Sequence, residues 1–375
     1  MSCLRDGRPP SDPRRARSGE HRDAIAGASP TPSRVRPGRC HDRPKGRGFA
    51  RPGNRLTRRG HPGPSNANAL SRRSVPARHV SSGSGGGWPS GGRAHMDALA
   101  ARLNALADEA PFHIGWHLTD LRTGASADRN GGVVVPSAST RKVAILLEAL
   151  RGLHEGRFDL ERRITVDELV KTTSGAFQWF RPGFTVTFHD LLLMMIIVSD
   201  NTATGLVTGM VGLDRVQALC DRIGMTGTAH RRATPDYSLP RDPGPGVTND
   251  TTPNDQGRLL VAILEGARDA AAAGRLGVTP DLCAYALDLM SKQRLRTRIP
   301  SWLPEDVKVA NKTGSLGGNH NDVAVVYEGD EPLFVFTYFA DHVPFETPDG
   351  RSGRAVADYL AGNMARAAWD ALKTA

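Results

Sequence analysis

Two side chains three residues apart, Ser139 and Lys142, have the types and spacing of a nucleophile and its base. Lys142 opens a segment, residues 142–153, that is apolar on nearly every side and predicts a buried helix. On such a helix the two side chains share one face, one turn apart. Desolvation disfavours the charged form of a buried lysine, and a neutral amine can deprotonate a neighbouring hydroxyl. The spacing therefore predicts a serine nucleophile that works without histidine.

Two further polar motifs follow along the chain. Ser199-Asp200-Asn201 comes directly after the apolar run Leu191–Val198, a predicted buried helix that would carry the trio to the edge of a cavity. Lys312-Thr313-Gly314-Ser315 follows a predicted strand, Val307–Asn311, and a lysine with hydroxyls beside it can hold a substrate carboxylate. Singly, each motif has an ordinary explanation as helix surface, turn or protected edge strand. Together and in this order they favour one shared site.

The elements that must position these motifs change character along the chain. Helical spacing of leucines predicts a helix over 96–108, and alternation predicts strands over 112–118 and 125–129. Helical patterns dominate the middle of the chain, about 155–295. Three β-rich runs and a closing helix end it, at 307–311, 322–327, 333–339 and 351–373. The sequence predicts an α+β fold, with an antiparallel sheet built from both chain ends, flanked by helices, and an all-helical lobe inserted between.

The order S-x-x-K, S-D-N, K-T-G is the signature of class A β-lactamases and penicillin-binding proteins, and the chain resembles that superfamily over residues 96–375. Further segments resemble the sequences of that superfamily, namely Val135–Thr140, Arg181–Gly183, Ile197–Thr204, Asp250–Pro253 and Leu303–Pro304. The resemblance implies a β-lactamase/transpeptidase-like fold with its site in the cleft between the two lobes. It also implies an acyl-enzyme mechanism on a small-molecule substrate, a β-lactam or a related amide or ester.

The resemblance assigns a catalytic role to three residues. Ser139 would be acylated, Lys142 would help to remove its proton, and Ser199 would pass a proton to the leaving nitrogen. The backbone N–H groups of Ser139 and Ser315 would form the oxyanion hole, which the start of a buried helix also favours.

The substrate-binding residues implied by the resemblance are Asn201, for the amide side chain of the substrate, and Lys312, Thr313 and Ser315, for its carboxylate. Arg298 stands fourteen residues before Lys312, where some members of the superfamily place a supporting arginine. The alternative for Arg298 is an ordinary surface residue of the basic run 294–298.

The chain departs from class A enzymes in the loop after the second motif. There the family carries a glutamate that activates the deacylating water, but this chain has no glutamate between Glu168 and Glu265. The matching loop, Ala229–Asp250, offers Asp236 and Asp242, whose shorter side chains are poor replacements. We therefore expect acylation with slow deacylation. This favours a slow hydrolase, an esterase, a D-alanyl-D-alanine peptidase or a non-catalytic β-lactam-binding protein over an efficient resistance enzyme.

The charge is unevenly distributed. The whole chain carries +10, but residues 1–95 hold 20 Lys+Arg and 5 Asp+Glu, so the remainder is −5. This Arg/Pro/Gly/Ser-rich leader, which includes the linker Ser81–Gly87, is predicted to be disordered. One interpretation places the true start at Met96. The other makes the leader a basic arm for nucleic acid or an anionic surface, which predicts salt-dependent binding that is lost on truncation.

The remaining features exclude several classes. Four cysteines, Cys3, Cys40, Cys220 and Cys283, form neither a disulfide framework nor a metal-ligand pattern, so ordinary thiols and no metal or organic cofactor are expected. No run is long and apolar enough for a membrane span, and no secretory signal is visible. We expect a monomer that does not bind nucleic acid through its acidic folded part.

Overall fold

The computed structural model describes residues 90–374 apart from Tyr237. The predicted leader and linker, with Cys3 and Cys40, lie outside this range except for Ser90–His95. These six residues open the first helix, which begins at Ser90 rather than at Met96. The ring of His95 hydrogen-bonds to the carbonyl oxygen of Ala371 at 3.1 Å, a contact that holds the extended start of the helix against the end of the chain.

Nine helices and nine strands form the described part of the chain. The helices are α1 Ser90–Ala107, α2 Lys142–His154, α3 Phe188–Ile197, α4 Asn201–Val211, α5 Leu213–Ile223, α6 Pro253–Arg268, α7 Ala270–Leu276, α8 Pro280–Ser291 and α9 Gly353–Leu372. The strands are β1 His113–Asp120, β2 Ser126–Arg129, β3 Val135–Pro136, β4 Arg163–Val166, β5 Phe184–Thr187, β6 Asp250–Thr251, β7 Val309–Leu316, β8 Asn319–Glu328 and β9 Glu331–Asp341.

The central sheet has five strands in the order β2-β1-β9-β8-β7, and every neighbouring pair is antiparallel. Its strands come from both ends of the chain, as the sequence predicts. β1 pairs with β9 over its whole length, from His113 opposite Asp341 to Asp120 opposite Phe334. The long β7 to β9 strands place the third motif at one edge of this sheet.

The two faces of the sheet contribute side chains to two hydrophobic cores, because successive side chains of a strand point to opposite faces. On one face Trp116, Phe334 and Phe336 pack with α1 and α9. On the other, Val323 and Phe339 join the core of the helical lobe around α2, α3, α6 and α8. α2 is the central element of that lobe, and residues 142–150 are all buried, which confirms the predicted buried helix.

The helical lobe also carries short strand pairs that the sequence patterns do not predict. β4 pairs with β5, and β3 pairs with β6. Cys220 and Cys283 are buried free thiols in this lobe, and burial raises their pKa to about 12 and about 11, so both are inert at neutral pH. Among the described residues no helix has the length and hydropathy of a membrane span.

The three C-terminal strands are longer than the sequence patterns predict. The third motif does not follow its strand but lies inside it, because β7 continues to Leu316. Each motif residue is paired with β8, from Lys312 opposite Val323 to Ser315 opposite His320. Because β7 is an edge strand, these pairings satisfy only the backbone groups that face β8, in a segment whose polar side chains and glycine resemble a turn in sequence.

Candidate active site

Ser139 lies on a tight turn between β3 and α2. The turn, Ala138–Arg141, is a short 3₁₀ helix that begins with Ala138 at a φ of 47°, a left-handed conformation that costs energy for a residue with a side chain. Ser137 holds the turn by donating its N–H to the carbonyl oxygen of Asn249 at 2.8 Å. The strained turn brings Ser139, half-buried, to the start of the buried helix α2.

Lys142 is fully buried and reaches the second motif. Its Nζ donates to the carbonyl oxygen of Ser199 at 2.8 Å, to Ser199 Oγ at 3.0 Å and to Asn201 Oδ1 at 2.9 Å. Burial, together with the nearby charges of Lys312 and Arg141, lowers the pKa of Lys142 well below its ordinary value. The lowered pKa favours the uncharged amine of Lys142, which is the form that a general base needs at neutral pH.

Asp200 fixes the geometry of the second motif. Its carboxylate accepts from the N–H of Ala203 at 2.9 Å, which caps α4, and from the N–H of Phe177 at 2.8 Å. Ser199 adopts a φ of 57°, another left-handed conformation away from glycine. This sharp turn between α3 and α4 presents both Ser199 and Asn201 to Lys142.

A strap formed by residues 172–177 covers the second motif. Asn201 donates its side-chain N–H to the carbonyl oxygen of Thr173 at 3.3 Å. Gly175, at a φ of 95°, passes so close that a Cβ there would lie 2.3 Å from Asp200 Oδ2. The strap thus holds Asn201 and Asp200 from the side opposite Lys142.

β7 brings the third motif against the nucleophile. A Cβ on Gly314 would lie 3.1 Å from the backbone nitrogen of Ser139 and 3.1 Å from the carbonyl oxygen of Ser137, so a side chain there would require β7 or the turn to shift by a few tenths of an ångström. Lys312 is fully buried and donates to the carbonyl oxygen of Thr313 at 2.8 Å. Burial lowers the pKa of Lys312 to about 7, while the carboxylate of Asp322 opposes the shift.

Arg298 is buried behind β7 rather than exposed in a basic run. It donates to the carbonyl oxygen of Gly314 at 2.8 Å and to Ser315 Oγ at 2.6 Å, and it pairs with Asp358 at 2.7 Å. All of these contacts are within the protein, so Arg298 positions the strand and the Ser315 hydroxyl, which is exposed on the cleft side. Thr313 is buried in the same strand.

The loop Ala229–Asp250 is closed at its base by an ion pair between Arg231 and Asp250 at 2.7 Å. Each of its candidate carboxylates has partners within the protein. Asp236 accepts from Ser238 Oγ at 2.6 Å and pairs with Arg232 at 2.8 Å, and Asp242 pairs with His342 beyond the end of β9 through one of its two oxygens. The second oxygen of Asp242 and that of Asp250 are buried without a hydrogen bond among the described residues.

The three motifs therefore meet in one place. Lys142 joins the first motif to the second through Ser199 and Asn201, and Gly314 joins the third to the backbone of Ser139. The sequence of residues 98–372 matches the profile of the β-lactamase enzyme family. The chain belongs to this family.

Solved structures agree with this assignment. The β-lactamase from Sphaerobacter thermophilus is 26% identical, with a TM-score of 0.63 over 73% of this chain and 97% of that one. A mutant of PBP-A, determined as an acyl-enzyme complex with penicillin G, is 25% identical, with a TM-score of 0.62 over 74% of this chain and 96% of that one. An ancestral class A β-lactamase is 23% identical and shares the fold, with a TM-score of 0.64 over 73% and 100%. No curated sequence matches the chain.

Three residues of this β-lactamase-family site escaped prediction from sequence. Asp200 stands out only as part of a motif, although aspartate before a helix is a capping signal. Asp322 lies buried in β8 directly before the apolar run Val323–Tyr327, and its charge acts on the pKa of Lys312. Arg141, between Ser139 and Lys142, resembles an exposed helix residue in sequence but is buried.

Proposed function

We propose that this protein is a serine acyl-transfer enzyme of the β-lactamase family that is acylated on Ser139 by a β-lactam, or by a related amide or ester, and deacylates slowly. The observation that carries the proposal is the buried Lys142, three residues after Ser139, whose Nζ contacts Ser199 and Asn201. A buried lysine with a lowered pKa supplies the base, and the matching contact to Ser199 supplies a path for the proton.

In the proposed acylation, protons pass from Ser139 to Lys142 and from Ser199 to the lactam nitrogen. The neutral amine of Lys142 takes the proton of Ser139 Oγ, and this oxygen attacks the carbonyl carbon of the lactam. The backbone N–H groups of Ser139 and Ser315 hold the developing oxyanion. Ser199 Oγ gives its proton to the lactam nitrogen as the C–N bond breaks, and Lys142, 3.0 Å away, returns a proton to Ser199. The product is an ester on Ser139.

Substrate binding falls to the side chains around this centre. The ammonium group of Lys312, with the hydroxyls of Thr313 and Ser315, provides the charge and the hydrogen-bond donors for a substrate carboxylate. Arg298 keeps Ser315 in place through its 2.6 Å hydrogen bond. The side-chain amide of Asn201, already held by Lys142, faces the amide of the substrate.

Slow deacylation follows from the loop. Hydrolysis of the ester needs a base beside the attacking water. The hydrogen bonds from Ser238 and the charge of Arg232 lower the pKa of Asp236, which makes it a weak base, and Asp242 is shorter than a glutamate and pairs with His342. We therefore assign the base of both half-reactions to Lys142.

The test is a time course of intact mass for the full chain mixed with penicillin G. We expect a single adduct of the mass of the antibiotic that persists for many minutes, is absent in Ser139→Ala, and is unchanged in Ser291→Ala, a serine on α8 that serves as the matched control. An adduct that disappears within seconds would contradict slow deacylation. No adduct, or an adduct that survives Ser139→Ala, would contradict the proposal itself.

A peptidase that cleaves D-alanyl-D-alanine is the second candidate, and the absence of a glutamate from the loop Ala229–Asp250 favours it. Such an enzyme releases its acyl group to an amine or water after recognising a peptide rather than an antibiotic. Release of D-alanine from a short peptide that ends in D-alanyl-D-alanine, lost in Ser139→Ala, would support this candidate over a β-lactamase.

A further inference from the structure

Arg141 is a charged residue that the proposed mechanism leaves unused. It stands between Ser139 and Lys142 in sequence, yet it is only 3% exposed. Buried arginines are normally paired with a carboxylate, because an uncompensated charge in the interior costs several kcal/mol. Arg141 has no such partner: its Nη2 donates to the carbonyl oxygen of Ala233, and its Nη1 is buried without a hydrogen bond among the residues described.

The bond to Ala233 attaches the loop Ala229–Asp250 to the nucleophile turn. The first part of the loop is otherwise held mainly by its own end, since Asn249 Oδ1 accepts from the N–H groups of Arg231 and Arg232 at 2.7 and 2.9 Å. Arg141 reaches this segment from the element that carries Ser139. The side chain of Arg141 thus connects the loop Ala229–Asp250 to the turn that carries Ser139.

The unpaired charge also acts on Lys142. A guanidinium group does not give up its proton readily, so it stays positive where a lysine would become neutral. Burial lowers the pKa of Arg141 to about 10, which still leaves it charged at neutral pH. A fixed positive charge beside a second buried cation disfavours the charged form of that neighbour. Lys142 is the neighbour that can lose a proton. Its pKa is lowered first by burial, then by the charge of Lys312 and then by that of Arg141, and it is raised by Asp200, so Arg141 adds to the effects of burial and Lys312. Neutrality is the state that the proposed role of Lys142 requires.

We propose that Arg141 is a positioning residue of this site, which keeps Lys142 in its neutral form by an uncompensated buried charge and fixes the loop over the nucleophile at Ala233. The proposal rests on the proposed role of Lys142 as base. It predicts that removing the charge and removing the loop bond have separate signatures.

The charge is tested by direct titration of Lys142 in the full chain. The chain has seven lysines, so ¹³Cε-labelled lysine gives a tractable spectrum, and the Lys142 signal is assigned by its loss in Lys142→Ala. In Arg141→Met, whose side chain is apolar and unbranched, we expect the pKa of Lys142 to rise by at least about one unit, the size of a nearby charge effect at a partly screened site. In Arg141→Lys, where a lysine buried at this site would itself become neutral, we expect the pKa of Lys142 to rise as well.

The loop bond is tested by limited trypsin digestion followed by mass spectrometry. We expect cleavage after Arg231 or Arg232 to become several-fold faster in Arg141→Met. Arg275→Met, which removes an exposed arginine on α7, should change neither the titration nor the cleavage. An unchanged Lys142 pKa in Arg141→Met would overturn the electrostatic role. Unchanged cleavage would overturn the loop role.

These outcomes are separable from the fate of the proposed function. Failure of that function would appear as the absence of a penicillin adduct in the wild-type protein, whereas the titration and the cleavage need no β-lactam. If an adduct forms, the rate of acylation in Arg141→Met should fall at low pH and approach the wild-type rate at high pH. A uniform fall at every pH would mark a purely structural effect and contradict the proposal.

Discussion

The contact between Gly314 and the nucleophile turn allows a quantitative prediction. In Gly314→Ala the new Cβ would meet Ala138 Cβ, Ser137 O and Ser139 N, all at 3.1 Å. Ordinary contacts of this kind begin near 3.4 Å, so β7 and the turn must separate by about 0.3–0.5 Å. This movement lengthens the distance between the two N–H groups of the oxyanion hole. If a displacement of about 1 Å costs roughly 100-fold in rate, we expect acylation of Ser139 to slow about 5- to 10-fold.

The assay is the second-order rate of acylation by a fluorescent penicillin, measured by quenching samples in time and counting labelled protein. Gly314→Val, which adds two more carbons, should slow acylation by about 100-fold or more. Gly209→Ala is the matched control, because nothing lies within 4 Å of a Cβ at that exposed position of α4. It should leave the rate unchanged and stabilise the helix by about 0.5–1 kcal/mol. Acylation of Gly314→Ala at the wild-type rate would refute the close-approach argument.

Three further results are expected. Asp200→Ala removes the cap of α4 and leaves the N–H of Phe177 without its acceptor, so urea unfolding should show a loss of about 2–4 kcal/mol; a loss under about 1 kcal/mol would contradict this. The pKa of about 7 for Lys312 implies that its carboxylate-binding charge is lost above pH 7, so acylation by a penicillin should decline relative to its methyl ester as pH rises, and a pH-independent ratio would argue against that role. The hydrogen bond that His342 donates to Asp242 raises the pKa of His342, so their stabilising contact is complete below pH 6.5 and lost as pH rises through the raised value. The difference in Tm between wild type and Asp242→Asn should shrink over that range, and a constant difference would exclude the contact.

Much of the fold was predictable because buried helices and strands have apolar residues at regular spacings in the sequence. The apolar residues of 142–153 specified α2, and alternation located β1 close to its observed bounds. The errors lie where polar residues occupy regular structure. β7 includes Lys312 to Ser315 because β8 supplies their backbone partners, a long-range pairing that no local pattern records. α1 begins early because His95 meets the far end of the chain.

The sequence predicted that the three motifs share one site, and the structure brings them together, but the residues that hold them there were not predicted. The catalytic roles of Ser139, Lys142 and Ser199 stay a prediction. The left-handed turns at Ala138 and Ser199 could not be predicted, because neither is glycine and the strain is imposed by tertiary contacts. Arg141 was missed because arginine is seldom buried without a carboxylate partner, so its sequence position suggested solvent.

The pairing of β1 with β9 has a consequence for folding of the chain during translation. Ser139 and Ser199 are synthesised long before Lys312, and the central strand that anchors β1 is translated only near the end of the chain. Until β7, β8 and β9 have been synthesised, one side of the hydrophobic core of the helical lobe therefore stays uncovered. Contacts between such distant segments form slowly. A chain that stops before β7 contains Ser139 and Lys142 but lacks Lys312–Ser315, so the three motifs of the candidate site come together only when translation is almost finished.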